Sequence, residues 1–125
     1  CTPLLTADLL RRSHARLVEC GKDRLFAVRA FDYPVWRGVS LDQEGGLSMV
    51  WPEHYSARSQ DLPQVYHDAG QFFWIRAQDP LTPPLLGGSA AGMVLGEMEA
   101  QDIDTFQDWE VAEFKYRYRE SWNGR

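Results

Sequence analysis

The stretch Gln101-Asp102-Ile103-Asp104-Thr105-Phe106-Gln107-Asp108-Trp109 constrains the fold more than any other, because it reads as a short strand handing over to a helix. Thr105 is placed as the N-cap, and Asp108, three residues on, completes a capping box. Successive side chains on a strand point to opposite faces, so Asp102 and Asp104 share one face. Two carboxylates so placed suit one hard cation such as magnesium. They also suit a solvated strand end beside a helix dipole, and spacing alone leaves both readings open.

A second helix is signalled near the start. Thr6 caps it, Asp8 sits in its first turn, Leu10, His14, Leu17 and Val18 form its apolar stripe, and Gly21 ends it. Residues 25–31 read as a short strand. Residues 35–41 and 47–51 flank the turn-rich Asp42-Gln43-Glu44-Gly45-Gly46 and read as a β-ribbon over about 33–52. No period persists over 52–68, which reads as an ordered loop with one helical turn near 62–66; loops of that length are usually functional. Residues 69–75 read as a buried strand, 80–88 as an excursion broken by prolines and glycines, and 91–95 as another short strand. The last helix is expected over 106–118, with Phe106, Trp109, Ala112, Glu113 and Tyr116 on one stripe. Helices alternating with strands give an α/β class.

With 125 residues there is length for a single domain with a modest core. A net charge of -5 and dispersed basic residues argue against nucleic acid as a partner. No apolar run reaches the roughly 20 residues of a membrane span, and the start lacks a signal-peptide pattern. Cys1 and Cys20 are too few for a disulfide framework and lack zinc-site spacing, which points to a reducing, cytoplasmic setting. The chain opens without Met on Cys-Thr-Pro-Leu-Leu, which reads as the end of a buried strand with material expected upstream.

Two further polar blocks stand out. Arg58-Ser59-Gln60-Asp61-Leu62-Pro63 and Tyr66-His67-Asp68-Ala69-Gly70-Gln71 bring together groups able to grip a polyhydroxylated acid. Arg58 can fork a carboxylate, while Gln60, Asp61, Asp68 and Gln71 can exchange hydrogen bonds with hydroxyls and amides. Many such side chains are ordinary loop polar residues, and a lone His67 is more often structural than a base. Phe72, Phe73, Trp74, Trp109, Phe114, Tyr116, Tyr118 and Trp122 are core by default, or line an interface between subunits. The glycine-rich 86–92 segment lacks a following Lys and is a weak phosphate cradle. Asp-Ile-Asp-Thr also fits the Asp-x-Asp-x-Thr signature of haloacid-dehalogenase-like phosphotransferases, but that nucleophile closes a first strand, and only 20 residues follow Thr105.

Taken in order, the two polar blocks, the second extended through Phe72-Phe73-Trp74, and the Gln101 to Trp109 block resemble the acylneuraminate cytidylyltransferases, most nearly the branch acting on pseudaminic acid. Thr2-Pro3-Leu4-Leu5-Thr6-Ala7-Asp8-Leu9-Leu10 is similar to that family's loop and helix after a central strand, and Phe31-Asp32-Tyr33-Pro34-Val35-Trp36-Arg37 to the entry into its protruding ribbon. Ala69 stands where the sialic-acid enzymes typically carry Asn, which favours the pseudaminic branch. The likeness runs from Thr2 to about Tyr118.

The resemblance implies the C-terminal part of a doubly wound, Rossmann-like nucleotidyltransferase sheet with an inserted β-ribbon that pairs two subunits. It implies transfer of CMP from CTP to a nine-carbon sugar acid, releasing pyrophosphate, with magnesium on Asp102 and Asp104. It places Arg58, Gln60, Tyr66, Asp68, Gly70 and Gln71 around the sugar acid, and the ribbon with Phe72 or Phe73 in dimer contacts. The family's Pro-Ala-Arg-Gly-Gly-Ser-Lys-type loop has no counterpart in these 125 residues, so they are expected to be inactive alone and to act within a complete enzyme. The rival reading is a non-catalytic remnant that binds a sugar acid or dimerises. A 3-deoxy-manno-octulosonate cytidylyltransferase fits residues 66–74 less well.

Overall fold

The structure is a computed structural model that describes residues 2–123, with side chains to residue 121. It divides into two compact units, residues 1–29 with 68–125 and residues 30–67.

The first unit carries an α/β core. Helix α1, Ala7–Cys20, starts where Thr6 Oγ1 accepts the Leu9 N–H at 3.1 Å and stops at Gly21, whose φ of 64° is the left-handed conformation that glycine adopts without strain. The expected stripe is rotated, however. Leu9, Ser13 and Leu17 are buried, while His14 and Val18 face outward. Ser13 is tolerated inside because its hydroxyl accepts the Trp74 indole N–H at 2.8 Å and donates to the Leu10 carbonyl at 2.9 Å.

Three strands form a mixed sheet in the order β4-β1-β5. β1, Arg24–Ala30, lies in the middle and is buried over its first four residues. β5, Ala90–Val94, runs parallel to it, with Phe26 opposite Gly92. β4, Tyr66–Ile75, runs antiparallel: the Arg76 N–H donates to the Asp23 carbonyl beyond one end and the Phe31 N–H to the Val65 carbonyl beyond the other. Helix α1 packs against β5, and Leu9, Ala27, Ala69, Leu95 and Ala100 form the core with Leu5, Phe72 and Met93 against it. The strand expected at 102–104 is absent. Residues 101–103 join no ladder, so strand alternation does not place Asp102 and Asp104 on one face. β4 instead begins three residues earlier than expected, within what reads as polar loop.

Helix α2, Phe106–Asn123, is longer than the sequence suggests. Its aromatic stripe is not core: Phe106 is 75% exposed, Trp109 52% and Phe114 65%, and among its described side chains only Ala112 and Lys115 are buried. The Trp122 side chain and Cys1 lie outside the described residues. The excursion after β4 is pinned by a long-range pair. All five Arg24 guanidinium N–H groups are used, two on Asp79 at 2.6 and 2.7 Å and three on the carbonyls of Thr82, Pro84 and Leu85.

The second unit holds a small antiparallel hairpin, β2 (Val39–Leu41) with β3 (Leu47–Met49), whose turn is organised by Asp42 Oδ1 accepting the Glu44 and Gly46 N–H groups. Both strands are three residues long, since 35–37 turns as a 3-10 helix. Short 3-10 turns at Pro52–His54 and Ser59–Asp61 replace the turn expected at 62–66. Among the described residues no helix is long and apolar enough to cross a membrane.

Candidate functional site

The site is best built outward from Gly70. Its φ of 62° is left-handed in the middle of β4, and the Asp68 Oδ1 atom accepts its N–H at 2.9 Å. A Cβ at this position would meet the Asp102 carboxylate, with Oδ2 at 2.9 Å and Cγ at 3.0 Å. Glycine is therefore favoured by the backbone conformation, and a Cβ there would push the exposed Asp102 side chain aside. Asp102 Oδ1 accepts the Ile103 N–H at 3.0 Å, and the residue is otherwise exposed. A depression of about 240 Å³ nearby is lined by Asp68, Gly70, Gln71, Phe72 and Phe73.

Gln71 is buried, 7% exposed. Its Nε2 donates to the carbonyls of Ala69 and Gln101, each at 3.2 Å, which ties β4 to the segment carrying Asp102. Its Oε1 has no partner among the described residues. Phe72 packs on the core while Phe73 is exposed.

The helix start beyond Asp102 forms as its spacing dictates. Thr105 Oγ1 accepts the Asp108 N–H at 3.2 Å, and Asp108 Oδ2 accepts the Thr105 hydroxyl at 2.7 Å, the Thr105 N–H at 2.8 Å and the Asp104 N–H at 3.2 Å. The Thr105 hydroxyl, then these backbone N–H groups, hold the Asp108 carboxyl below its ordinary range. The Asp104 carboxylate is exposed.

Arg58, Gln60 and Tyr66 belong to the second unit, and all three are exposed. Arg58 pairs with Asp61 at 2.8 Å, an ion pair open to solvent and so cheaply exchanged for another carboxylate. The structure thus brings Asp68, Gly70, Gln71 and Asp102 together within the first unit.

Sequence reasoning missed Lys115. It is 4% exposed, and its ammonium donates to Glu97 Oε1 at 2.6 Å, Gln101 Oε1 at 3.0 Å and the Ala100 carbonyl at 3.1 Å. Glu97 also pairs with Arg29. The signal available was a lone Lys on the Ala112 face of the final helix, where a charge needs buried partners.

No family model matches the chain. The pseudaminic acid cytidylyltransferase of Campylobacter jejuni subsp. jejuni serotype O:2 is 34% identical over 116 residues, 92% of this chain and 50% of that protein. Its serotype O:23/36 counterpart is 33% identical over the same shares. The chain is homologous to the pseudaminic acid cytidylyltransferases. A Helicobacter pylori protein named as both pseudaminic acid cytidylyltransferase and UDP-2,4-diacetamido-2,4,6-trideoxy-beta-L-altropyranose hydrolase is 32% identical over 92 residues, 73% of this chain and 17% of that protein. The chain thus spans about half the length of the first two cytidylyltransferases. The shared stretch includes most of the elements described above.

Proposed function

We propose that this chain is the metal- and sugar-acid-contacting part of a CMP-nonulosonic acid synthetase, which moves CMP from CTP to a pseudaminic-type sugar acid and releases pyrophosphate. What supports the reading most is the Asp102 carboxylate set against Gly70, in a chain matched over 92% of its length to a pseudaminic acid cytidylyltransferase.

The donor set suits magnesium, a hard cation that takes carboxylate oxygen. Among the described residues no three His, Cys, Asp or Glu side chains converge to form a complete metal cage. Magnesium commonly uses one or two carboxylates and fills its remaining positions with water and substrate phosphate, so Asp102, with Asp104 two residues on, would suffice as protein donors. A magnesium ion held by Asp102 and Asp104 would supply neutralisation of the phosphate charge that develops in nucleotidyl transfer. Arg58 holds the sugar carboxylate by exchanging it for Asp61, and Gln60, Tyr66 and Asp68 meet its hydroxyl and amide groups. Gly70 admits the Asp102 acid, and the buried Gln71 completes the wall beneath. The fuller architecture is a doubly wound sheet in a cytoplasmic homodimer, with the β2–β3 hairpin and the exposed Phe73 at the subunit contact.

The test is product formation by the complete protein with CTP, magnesium and either pseudaminic acid or N-acetylneuraminic acid, read as pyrophosphate release. Turnover with the first and little with the second is expected. Sugar binding that ignores CTP, with no pyrophosphate from either acid, would instead identify a binding module.

A further inference from the structure

We infer that Lys115 is a positioning residue for Asp102, acting through the Gln101 side chain and opposed from the sheet by Gln71. The inference rests on the reading of Asp102 as a metal ligand. Gln101 Nε2 donates to the Asp102 carbonyl at 3.0 Å, while the Gln101 carbonyl accepts from Gln71 Nε2 at 3.2 Å. The carbonyls before and after the Asp102 α-carbon are therefore both held, one from β4 and the other from the side chain that Lys115 grips.

An ammonium only donates, so it fixes which end of the Gln101 amide faces it. With Oε1 at 3.0 Å from Lys115 Nζ, the amide nitrogen is left to face the Asp102 carbonyl. Glu97 and the Ala100 carbonyl take the other two ammonium protons. A methionine of similar volume fills the same space and strands no buried charge, since Glu97 is half exposed and keeps Arg29, although the Ala100 carbonyl loses its donor. What methionine lacks is the ability to orient Gln101. The Gly70 surface then receives the Asp102 acid in a single orientation, as outer partners do for metal ligands generally.

Manganese alone serves as the probe, titrated into the complete protein and followed by the electron paramagnetic resonance signal of the free ion. Lys115→Met and Gln101→Leu are each expected to raise the manganese Kd about 10-fold or more, the range for lost outer-shell partners. The double variant should lose no more than the worse single one, because the two residues act in series. Wild-type affinity in Lys115→Met, or losses that add in the double variant, would overturn the positioning role. Asp102→Asn separates the two levels: if it abolishes binding while Lys115→Met does not weaken it, the metal reading stands and this inference falls. Should Lys115→Met not fold, Gln101→Leu keeps the Lys115 contacts to Glu97 and Ala100 and decides the matter, an unchanged Kd there sinking the proposal.

Discussion

The two helices of the first unit are held in opposite ways. α1 is secured by apolar burial: Leu9 and Leu17 enter the core, and the one polar residue among them, Ser13, is satisfied by Trp74. α2 buries little apolar surface and is secured by directed polar contacts, namely its capping box, the Lys115 cluster, and Arg119, which donates to the carbonyl of the buried Leu4 at 2.7 Å. Burial is indifferent to orientation, whereas hydrogen bonds fix direction. The helix whose Lys115 grips Gln101, the residue before Asp102, is the one held by directed contacts.

Several substitutions break or sharpen this contrast. Leu9→Ala should have the largest effect, about 2–5 kcal/mol in urea unfolding, because a side chain 2% exposed leaves a cavity in the core. The caps should cost less, with Thr6→Ala and Thr105→Ala each losing about 1 kcal/mol; of the two, only Thr105→Ala should also weaken manganese binding. Acid should reach α2 through Asp108. Its carboxyl titrates lower folded than unfolded, so its contribution is complete above the ordinary aspartate value of about 3.9 and is lost as pH falls through the folded value. The Tm gap between wild type and Asp108→Ala should accordingly hold near neutrality and close below about pH 4. Phe114→Ser should change stability least, within about 0.5 kcal/mol, since that ring is exposed.

The same contrast explains what was legible in the sequence. Thr6 and Gly21 mark the ends of α1, and the Thr105–Asp108 spacing marks the start of α2, because caps act within one turn. Gly70 stands out in the sequence within the second polar block, but its neighbour does not, since Asp102 is 32 positions away in the chain. Arg24 with Asp79 and Lys115 with Gln101 were equally silent, as a long-range polar pair leaves no local period. The rotated stripe of α1 misled for a related reason: Ser13 reads as surface until Trp74 is found above it. The strand expected over 102–104 failed because no neighbouring strand pairs with it, and alternation along a segment cannot reveal that.

Replacement of Asp102 tests the central claim most directly. In the complete protein supplied with CTP, magnesium and pseudaminic acid, Asp102→Asn is expected to lower kcat/KM by about 100-fold or more, the scale on which single electrostatic groups act in a transition state. Unaltered pyrophosphate release from that variant, with its fold intact, would contradict the assignment of this acid to the reaction.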